Sequence, residues 1–225
     1  LKRAGRAGAA REKPGLEVYK QYVRGRKAFE EGDYHAAIDF AQQALGMDAE
    51  YDEPLSLIGA GYARLGDYDR AVEYHQRQER RATSAGDDVG LAVALGNLGA
   101  MYYYKGDYAV AYDFLDRAAS LSERNSPTPD TAKLYGNLGM VVMRLDKTED
   151  AERAFERAIS ICRQFKDVVS MVWPYNGMGS VLLKQERYTE AREYHQRALV
   201  LAEEIGDRVA VGVSQMNIGR CACLT

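Results

Sequence analysis

The feature that most constrains this chain is a glycine that recurs at a nearly constant interval. The interval is about 34 residues between the first two and about 40 residues between the others, each within a similar helical pattern: Gly25, Gly59, Gly99, Gly139, Gly179 and Gly219. An alanine follows twelve positions after each of the first five. Such a period is typical of an array of repeated units, in which each unit buries its apolar surface against its neighbours. We therefore expect an all-α repeat array whose stability is local and roughly additive.

The third unit illustrates how one repeat is expected to fold. Gly106 and Asp107 stand between two apolar helical segments, a first helix A and a second helix B. Glycine adopts the left-handed backbone of a helix C-terminus at little cost, and the aspartate can cap the helix that follows. The pattern predicts a helix hairpin. Gly99 and Ala111 are small because we expect the two helices to cross there, where larger side chains would separate the backbones.

Two later units depart from this pattern at the turn between their helices. Asp146 and Glu186 stand where the earlier units have glycine. Because a residue with a side chain adopts the left-handed conformation less readily than glycine, we expect these two turns to be looser. In the fifth unit, Pro174 would fall in the second turn of a helix A that begins at Asp167. That helix must therefore begin late or bend at the proline.

The residues that recur within the units match a known repeat. They are Leu98, Gly99, Tyr102, Gly106, Tyr108, Ala111 and Ala118 in the third unit, and Gly59, Tyr62, Gly66, Tyr68 and Ala71 in the second. This pattern resembles the tetratricopeptide repeat (TPR). The resemblance implies a right-handed superhelical solenoid of TPR helix hairpins, with about five repeats and the first helix of a sixth over residues 16–225. We expect residues 1–15 to be a basic flexible segment, with a basic interaction arm as the alternative.

The interval of about 40 residues exceeds the roughly 34 that are usual for this repeat, so longer helices are expected. The long period, the Asn-Leu-Gly strings at residues 97–99 and 137–139 and the segment 202–208 are similar to the Pins/LGN family of spindle-orientation adaptors. This resemblance covers about residues 18–225. It implies a non-catalytic adaptor in signalling that holds a partner protein or peptide. Leu1 is not a start methionine, so we also expect a piece of a longer protein.

In arrays of this kind the A helices line the concave face, so positions that bind a partner are counted from each repeat glycine. An asparagine two residues before the glycine would hydrogen-bond the backbone of an extended peptide, since its amide both donates and accepts. The asparagines at this position are Asn97, Asn137 and Asn217, and Asn176 stands one residue earlier in its unit. The alternative is that these amides cap or bridge neighbouring helices.

Charged and apolar residues on the same expected face indicate the chemistry of the partner. The basic candidates are Arg64, Lys133, Arg144 and Lys184, and the apolar candidates are Tyr103 and Met140. Counted over all repeats, six basic and two acidic residues occupy the face, a net charge of +4 on a chain of −3. This balance favours an acidic peptide as the partner. For each apolar candidate, burial in the core is an equal alternative.

Composition and motifs argue against several other classes of function. A net charge of −3 gives no bulk attraction to nucleic acid or to an anionic membrane. The three histidines fall on separate B helices, so we expect neither a metal site nor a cofactor. The sequence has no phosphate-binding loop and no nucleophile elbow, so we do not expect an enzyme. Three cysteines form no disulfide framework, which predicts a reducing, cytoplasmic compartment.

A second hypothesis is a regulatory or self-association module of a larger signalling protein. The expected last helix, over residues 208–225, has no partner helix B in this sequence. Its uncovered apolar face would then pair between two chains and form a homo-oligomer.

Overall fold

The computed structural model describes residues 14–224, and all regular secondary structure in that range is helical. The α-helices there are α1 Leu16–Glu30, α2 Tyr34–Met47, α3 Glu53–Arg64, α4 Tyr68–Ala85, α5 Asp88–Lys105, α6 Tyr108–Arg124, α7 Pro129–Arg144, α8 Thr148–Phe165, α9 Val172–Lys184, α10 Tyr188–Ile205 and α11 Arg208–Ala222. Odd-numbered helices are the predicted helices A, and even-numbered ones are the helices B. The predicted basic segment lies outside the described residues, except for its last two.

The long period is accommodated in the helices themselves. The consecutive helices α4 and α5 each contain 18 residues. Two such helices alone would exceed a repeat of about 34 residues. The prediction of long helices is therefore confirmed for this part of the chain.

The described residues divide into two compact units, 14–106 and 107–224. In the first unit α1 pairs with α2 and α3 pairs with α4 as hairpins, and α5 packs on α4. In the second unit α6 packs on α7, α7 pairs with α8, α9 pairs with α10, and α11 packs on α10. The A helices of the second unit also contact one another, α7 with α9 and α9 with α11, so they form one continuous layer.

Aspartate side chains cap the N-termini of α2 and α4. The carboxylate of Asp33 accepts a hydrogen bond from the Ala36 N–H at 3.0 Å, and that of Asp67 accepts one from the Arg70 N–H at 3.1 Å. Asp107 also occupies the N-cap position, but its side chain makes no capping hydrogen bond. The capping hydrogen bond predicted for Asp107 is therefore wrong for that side chain, although the equivalent aspartates of the first two turns make it.

The turns at Asp146 and Glu186 keep the geometry of the glycine turns. Their φ angles are 58° and 62°, in the same left-handed region as the 79° of Gly66. After each of the three residues, the next N–H donates to the carbonyl five positions earlier, at 3.0, 2.9 and 2.9 Å. The expectation of looser turns is therefore wrong. Instead, Asp146 and Glu186 hold a left-handed backbone conformation that costs about 1 kcal/mol relative to glycine.

Helix α9 begins late, which resolves the conflict at Pro174. A 3-10 segment, Val169–Met171, precedes it, and the Asp167 carboxylate accepts a hydrogen bond from the Ser170 N–H at 3.1 Å. The α-helix then begins at Val172, so the proline lies in its first turn. A proline is tolerated there because the first N–H groups of a helix have no intrahelical acceptor.

A ring from helix B fills the space beside three of the repeat glycines. A Cβ built on the glycine would lie 2.5, 2.6 and 2.6 Å from a ring carbon in the pairs Gly59 with His75, Gly139 with Phe155, and Gly179 with His195. A side chain at these glycines would therefore force the ring to move, as expected where two helices cross. Gly219 has no heavy atom within 4 Å of its built Cβ, apart from its own helix.

Candidate functional site

Charge is segregated between the two helix layers of the second unit. Its A helices carry Lys133, Arg144, Lys184, Arg208 and Arg220 against a single carboxylate, Asp130, which gives a net charge of +4. Its B helices α6, α8 and α10 carry eleven carboxylates and seven arginines, a net charge of −4. The exposed surface of α7, α9 and α11, called here the A-helix face, is therefore the cationic side of this unit.

Large apolar side chains are exposed on the A-helix face, and Val209 on α11, 69% exposed, is one of them. Met140 on α7 is 43% exposed, Trp173 on α9 is 48% exposed, and Met216 on α11 is 67% exposed. Methionine and tryptophan are frequent anchors at protein interfaces because they bury a large area on contact. The surface thus combines positive charge with apolar contact area.

Six of the predicted contacts lie together on the A helices of the second unit. Lys133, Asn137, Met140, Arg144 and Lys184 are exposed, and Asn217 is partly exposed. The Asn137 amide stands on α7 between the Lys133 and Met140 side chains along one stripe of the helix, since these residues are separated by four and three positions. An extended chain laid on this stripe would meet a cation, an amide and an apolar side chain in turn.

Two of the lysines have carboxylate partners in the free protein. The Lys133 ammonium lies 2.8 Å from Asp130, one turn earlier on the same helix. The Lys184 ammonium pairs with Asp146, a residue of the preceding repeat's turn, and this bond lowers the pKa of the Asp146 carboxyl. Both carboxylates are exposed, so these pairs are weak and a competing carboxylate can replace them.

Asn176 is a core residue, which corrects its prediction as a peptide contact. It is 4% exposed, and its amide nitrogen donates to the Ser214 hydroxyl at 2.8 Å. Its carbonyl oxygen lies 2.9 Å from His195 Nδ1. Asn176 therefore joins α9 to α10 and α11, the bridging role that was the alternative for these asparagines.

The histidines that fill the glycine spaces are neutral at physiological pH. Burial lowers the pKa of His75 to about 4 and that of His195 to about 4. His195 Nε2 is buried without a hydrogen-bond partner. With Nδ1 donating to Asn176, a second proton on Nε2 would have no acceptor, which opposes protonation further.

The remaining predicted contacts belong to the first unit. Arg64, at the end of α3, is exposed, and its guanidinium lies 6.0 Å from the centre of the Phe29 ring. Asn97 and Tyr103 on α5 are both partly buried, and the Tyr103 ring packs edge-on against exposed Tyr104 at 5.7 Å. The role of these three residues stays a prediction.

Three side chains that contact predicted site residues were missed from the sequence. Asp130 precedes Lys133 by three residues on a helix, and that spacing alone would have indicated the ion pair. Asp146 and Lys184 are 38 residues apart, and no local spacing relates them. The Ser214 hydroxyl that engages Asn176 is equally distant in sequence, at 38 residues.

The described residues 14–224 contain neither a metal-binding cluster nor a membrane-spanning helix. No cluster of three or more histidine, cysteine, aspartate or glutamate side chains there has the arrangement of a metal site. Within the same range, every helix is too short or too polar to cross a bilayer.

Comparisons with known proteins place the chain in a family. A model of the tetratricopeptide repeat matches residues 52–124, 90–164 and 170–225. A comparison with curated protein sequences gives no significant match.

Several solved structures are similar in fold. BtubC (BKLC) from P. vanneervenii has a TM-score of 0.71 and 18% identity, over 93% of this chain and 85% of that chain. A putative kinesin light chain from Podosopora anserina, described as having nearly identical TPR-like repeats, has a TM-score of 0.67 and 14% identity, over 86% and 99%. Aspartyl phosphate phosphatase F from Bacillus subtilis has a TM-score of 0.77 and 18% identity, over 90% of this chain and 55% of that chain. At these identities the likeness shows the fold alone.

The family model covers well over half of the chain, and the hairpins have the glycine, tyrosine and alanine positions of that repeat. The protein belongs to the tetratricopeptide repeat family, and its fold is an all-α array of TPR helix hairpins.

Proposed function

We propose that this chain is a non-catalytic interaction scaffold whose A-helix face in the second unit binds an acidic peptide segment of a partner protein. Arrays of this kind present extended surfaces rather than closed pockets. The observation that carries the proposal is the charge segregation, with a net charge of +4 on the A helices and −4 on the B helices of one unit.

Electrostatics would then select the partner and speed its approach. The whole chain has a net charge of −3, so an acidic segment is repelled at long range and attracted only near the A-helix face. At physiological salt these forces act over about 8 Å, comparable with the distance between adjacent helices. Binding should therefore weaken as salt is added.

The amides of Asn137 and Asn217 would hold the peptide backbone. Each amide offers a donor and an acceptor, which matches the N–H and C=O of an extended chain. Asn137 is exposed and Asn217 partly exposed. Asn97, Arg64 and Tyr103 are proposed as contacts of the first unit's A helices on the sequence pattern alone.

A peptide selection tests this proposal without a known partner. Random dodecapeptides displayed on phage are selected on the 225-residue chain, and the most enriched sequences are synthesised for titration by fluorescence anisotropy. We expect aspartate and glutamate to be enriched, affinity to fall with salt, and Asn137→Ala to weaken binding about fivefold or more, the value of one or two lost hydrogen bonds.

The matched control is Gln164→Ala, which removes an exposed amide from helix B α8. Selected peptides without an acidic bias would contradict the proposal. Equal affinities for Asn137→Ala and Gln164→Ala would contradict the role of the asparagine, provided that circular dichroism shows both variants folded.

The exposed surface of α11 favours a second candidate, a self-association module. Val209 is 69% exposed and Met216 is 67% exposed, although both are large and apolar. Light scattering over a range of concentrations separates the two candidates, because a strict monomer would exclude self-association. The Pins/LGN resemblance, the role in signalling and the cytoplasmic location are proposed on the sequence alone.

A further inference from the structure

A small gap lies on the A-helix face between α7 and α9. Gly136 is partly exposed, and its built Cβ would meet a single described atom outside its own helix, Pro174 Cγ at 3.9 Å. The equivalent pair one repeat later is Asn176 and Ser214, also 38 residues apart and joined by a hydrogen bond of 2.8 Å. Side chains thus fill the groove between α9 and α11, whereas glycine leaves the groove open between α7 and α9.

The residues around this gap supply an apolar wall and a cation. Trp173 directly precedes Pro174 and is 48% exposed. Along α7, Lys133 comes three residues before Gly136, and Met140, 43% exposed, comes four residues after it. Residues at these spacings share one side of a helix. Met140 and Lys133 therefore lie on the same side of α7 as Gly136, and the exposed Trp173 stands on α9 next to Pro174.

The lysine is held by a bond that a partner can replace. Its ammonium lies 2.8 Å from Asp130, and the two side chains are 64% and 73% exposed. Exposed pairs of this kind contribute little to stability. A carboxylate of a bound segment would exchange with Asp130 at small cost, and the attraction of the A-helix face as a whole would favour the exchange.

We propose that the Gly136 gap is a subsite for one large apolar side chain, Phe, Leu or Met, of an acidic partner segment. That side chain packs on Gly136 against the Trp173 indole, above the buried Pro174, and a neighbouring carboxylate of the same segment pairs with Lys133. This inference rests on the proposed function and adds the anchor that gives an otherwise electrostatic contact its sequence preference.

The peptides selected from the dodecapeptide library provide the test. We expect each to carry one Phe, Leu or Met among its acidic residues, and replacement of that residue by serine to weaken binding about tenfold or more, from the apolar area left in water. Gly136→Leu fills the gap from the protein side and should produce the same loss. The serine peptide should bind the wild type and Gly136→Leu equally.

Two further variants provide a control and an independent test of the subsite. Gly46→Leu on α2 is the matched control, since its built Cβ meets no heavy atom within 4 Å, and it should bind the selected peptides like the wild type. Trp173→Ala removes the wall without adding bulk and should also abolish the preference for the apolar residue. Circular dichroism confirms that each variant is folded.

The outcomes separate the subsite from the function on which it rests. Acidic peptides whose affinity is unchanged in both Gly136→Leu and Trp173→Ala would overturn the subsite and leave the proposed function intact. Peptides without acidic enrichment, or no enriched peptide at all, would overturn both.

Discussion

Alanine substitution at two equivalent repeat glycines should change stability in opposite directions. Gly179 and Gly219 stand at the same position of successive A helices. A helical glycine replaced by alanine gains about 1 kcal/mol of stability when nothing else changes, because alanine restricts the unfolded chain and favours the helix. Whether each variant keeps this gain depends on the atoms that the added methyl group would meet.

At Gly179 the added methyl group collides with a buried ring. Its Cβ would lie 2.6 Å from the His195 ring, whereas carbon atoms in contact are about 3.5 to 4 Å apart. The ring must therefore move by about 1 Å in a fully buried site, and such overpacking costs about 1 to 3 kcal/mol. We expect Gly179→Ala to lose about 1 kcal/mol net, and Gly219→Ala to gain about 0.5 to 1 kcal/mol.

Urea unfolding of the whole chain, followed by circular dichroism at pH 7, measures the difference. The dependence of the unfolding free energy on urea concentration should be the same in both variants as in the wild type, so that a shift of the midpoint reports a change in stability. Combining Gly179→Ala with His195→Ala should remove most of the methyl group's penalty relative to His195→Ala alone, because the colliding ring is gone. If both glycine variants shift the midpoint in the same direction by the same amount, the argument from ring packing is wrong.

Three further predictions concern stability. The pKa of His75 and that of His195 are each lowered to about 4 in the folded chain, so the stability linked to each histidine is complete above pH 6.5 and is lost as the pH falls toward 4. Urea unfolding at pH 5 should therefore give a free energy of unfolding about 2 kcal/mol lower per histidine than at pH 7, and His195→Phe should reduce that loss. Glu186→Gly should raise stability by about 0.5 to 1 kcal/mol, because Glu186 holds a φ of 62°; an unchanged urea midpoint would show that the left-handed backbone carries no strain. Gln21→Leu should stabilise the folded chain by about 1 kcal/mol, because the buried Gln21 Oε1 has no hydrogen-bond partner and the equivalent position of the next repeat holds Leu55. A lower thermal unfolding temperature would contradict this prediction.

The regular part of the fold follows from spacing alone. A recurring glycine, followed by Gly-Asp and then alanine, is enough to place helix A, the turn and helix B, because each residue type suits one backbone conformation. The turns at Asp146 and Glu186 could not be predicted in this way. Packing of the flanking helices holds their backbone in the left-handed region against the local preference of the residue.

A site residue could be predicted only when its position relative to the repeat glycine was the same as in the other units. Asn137 stands two residues before its glycine and is exposed, whereas Asn176 stands three residues before and is buried. One position along a helix rotates a side chain by about 100°, which turns Asn176 from the open face toward α11 and Ser214. The space beside Gly136, which Pro174 borders, likewise lies between two repeats, and no local pattern reveals it.

The sign of the electrostatic potential at the A-helix face can be measured with the protein's own fluorescence. Trp173 is the single tryptophan of the chain and is 48% exposed on that face. Its quenching by iodide and by caesium is compared at low ionic strength, each relative to N-acetyltryptophanamide. The account predicts that iodide quenches Trp173 relatively better than caesium, and that Lys133→Glu with Lys184→Glu removes the difference. Equal relative quenching, or stronger quenching by caesium in the wild type, would contradict a cationic face and with it the choice of an acidic partner.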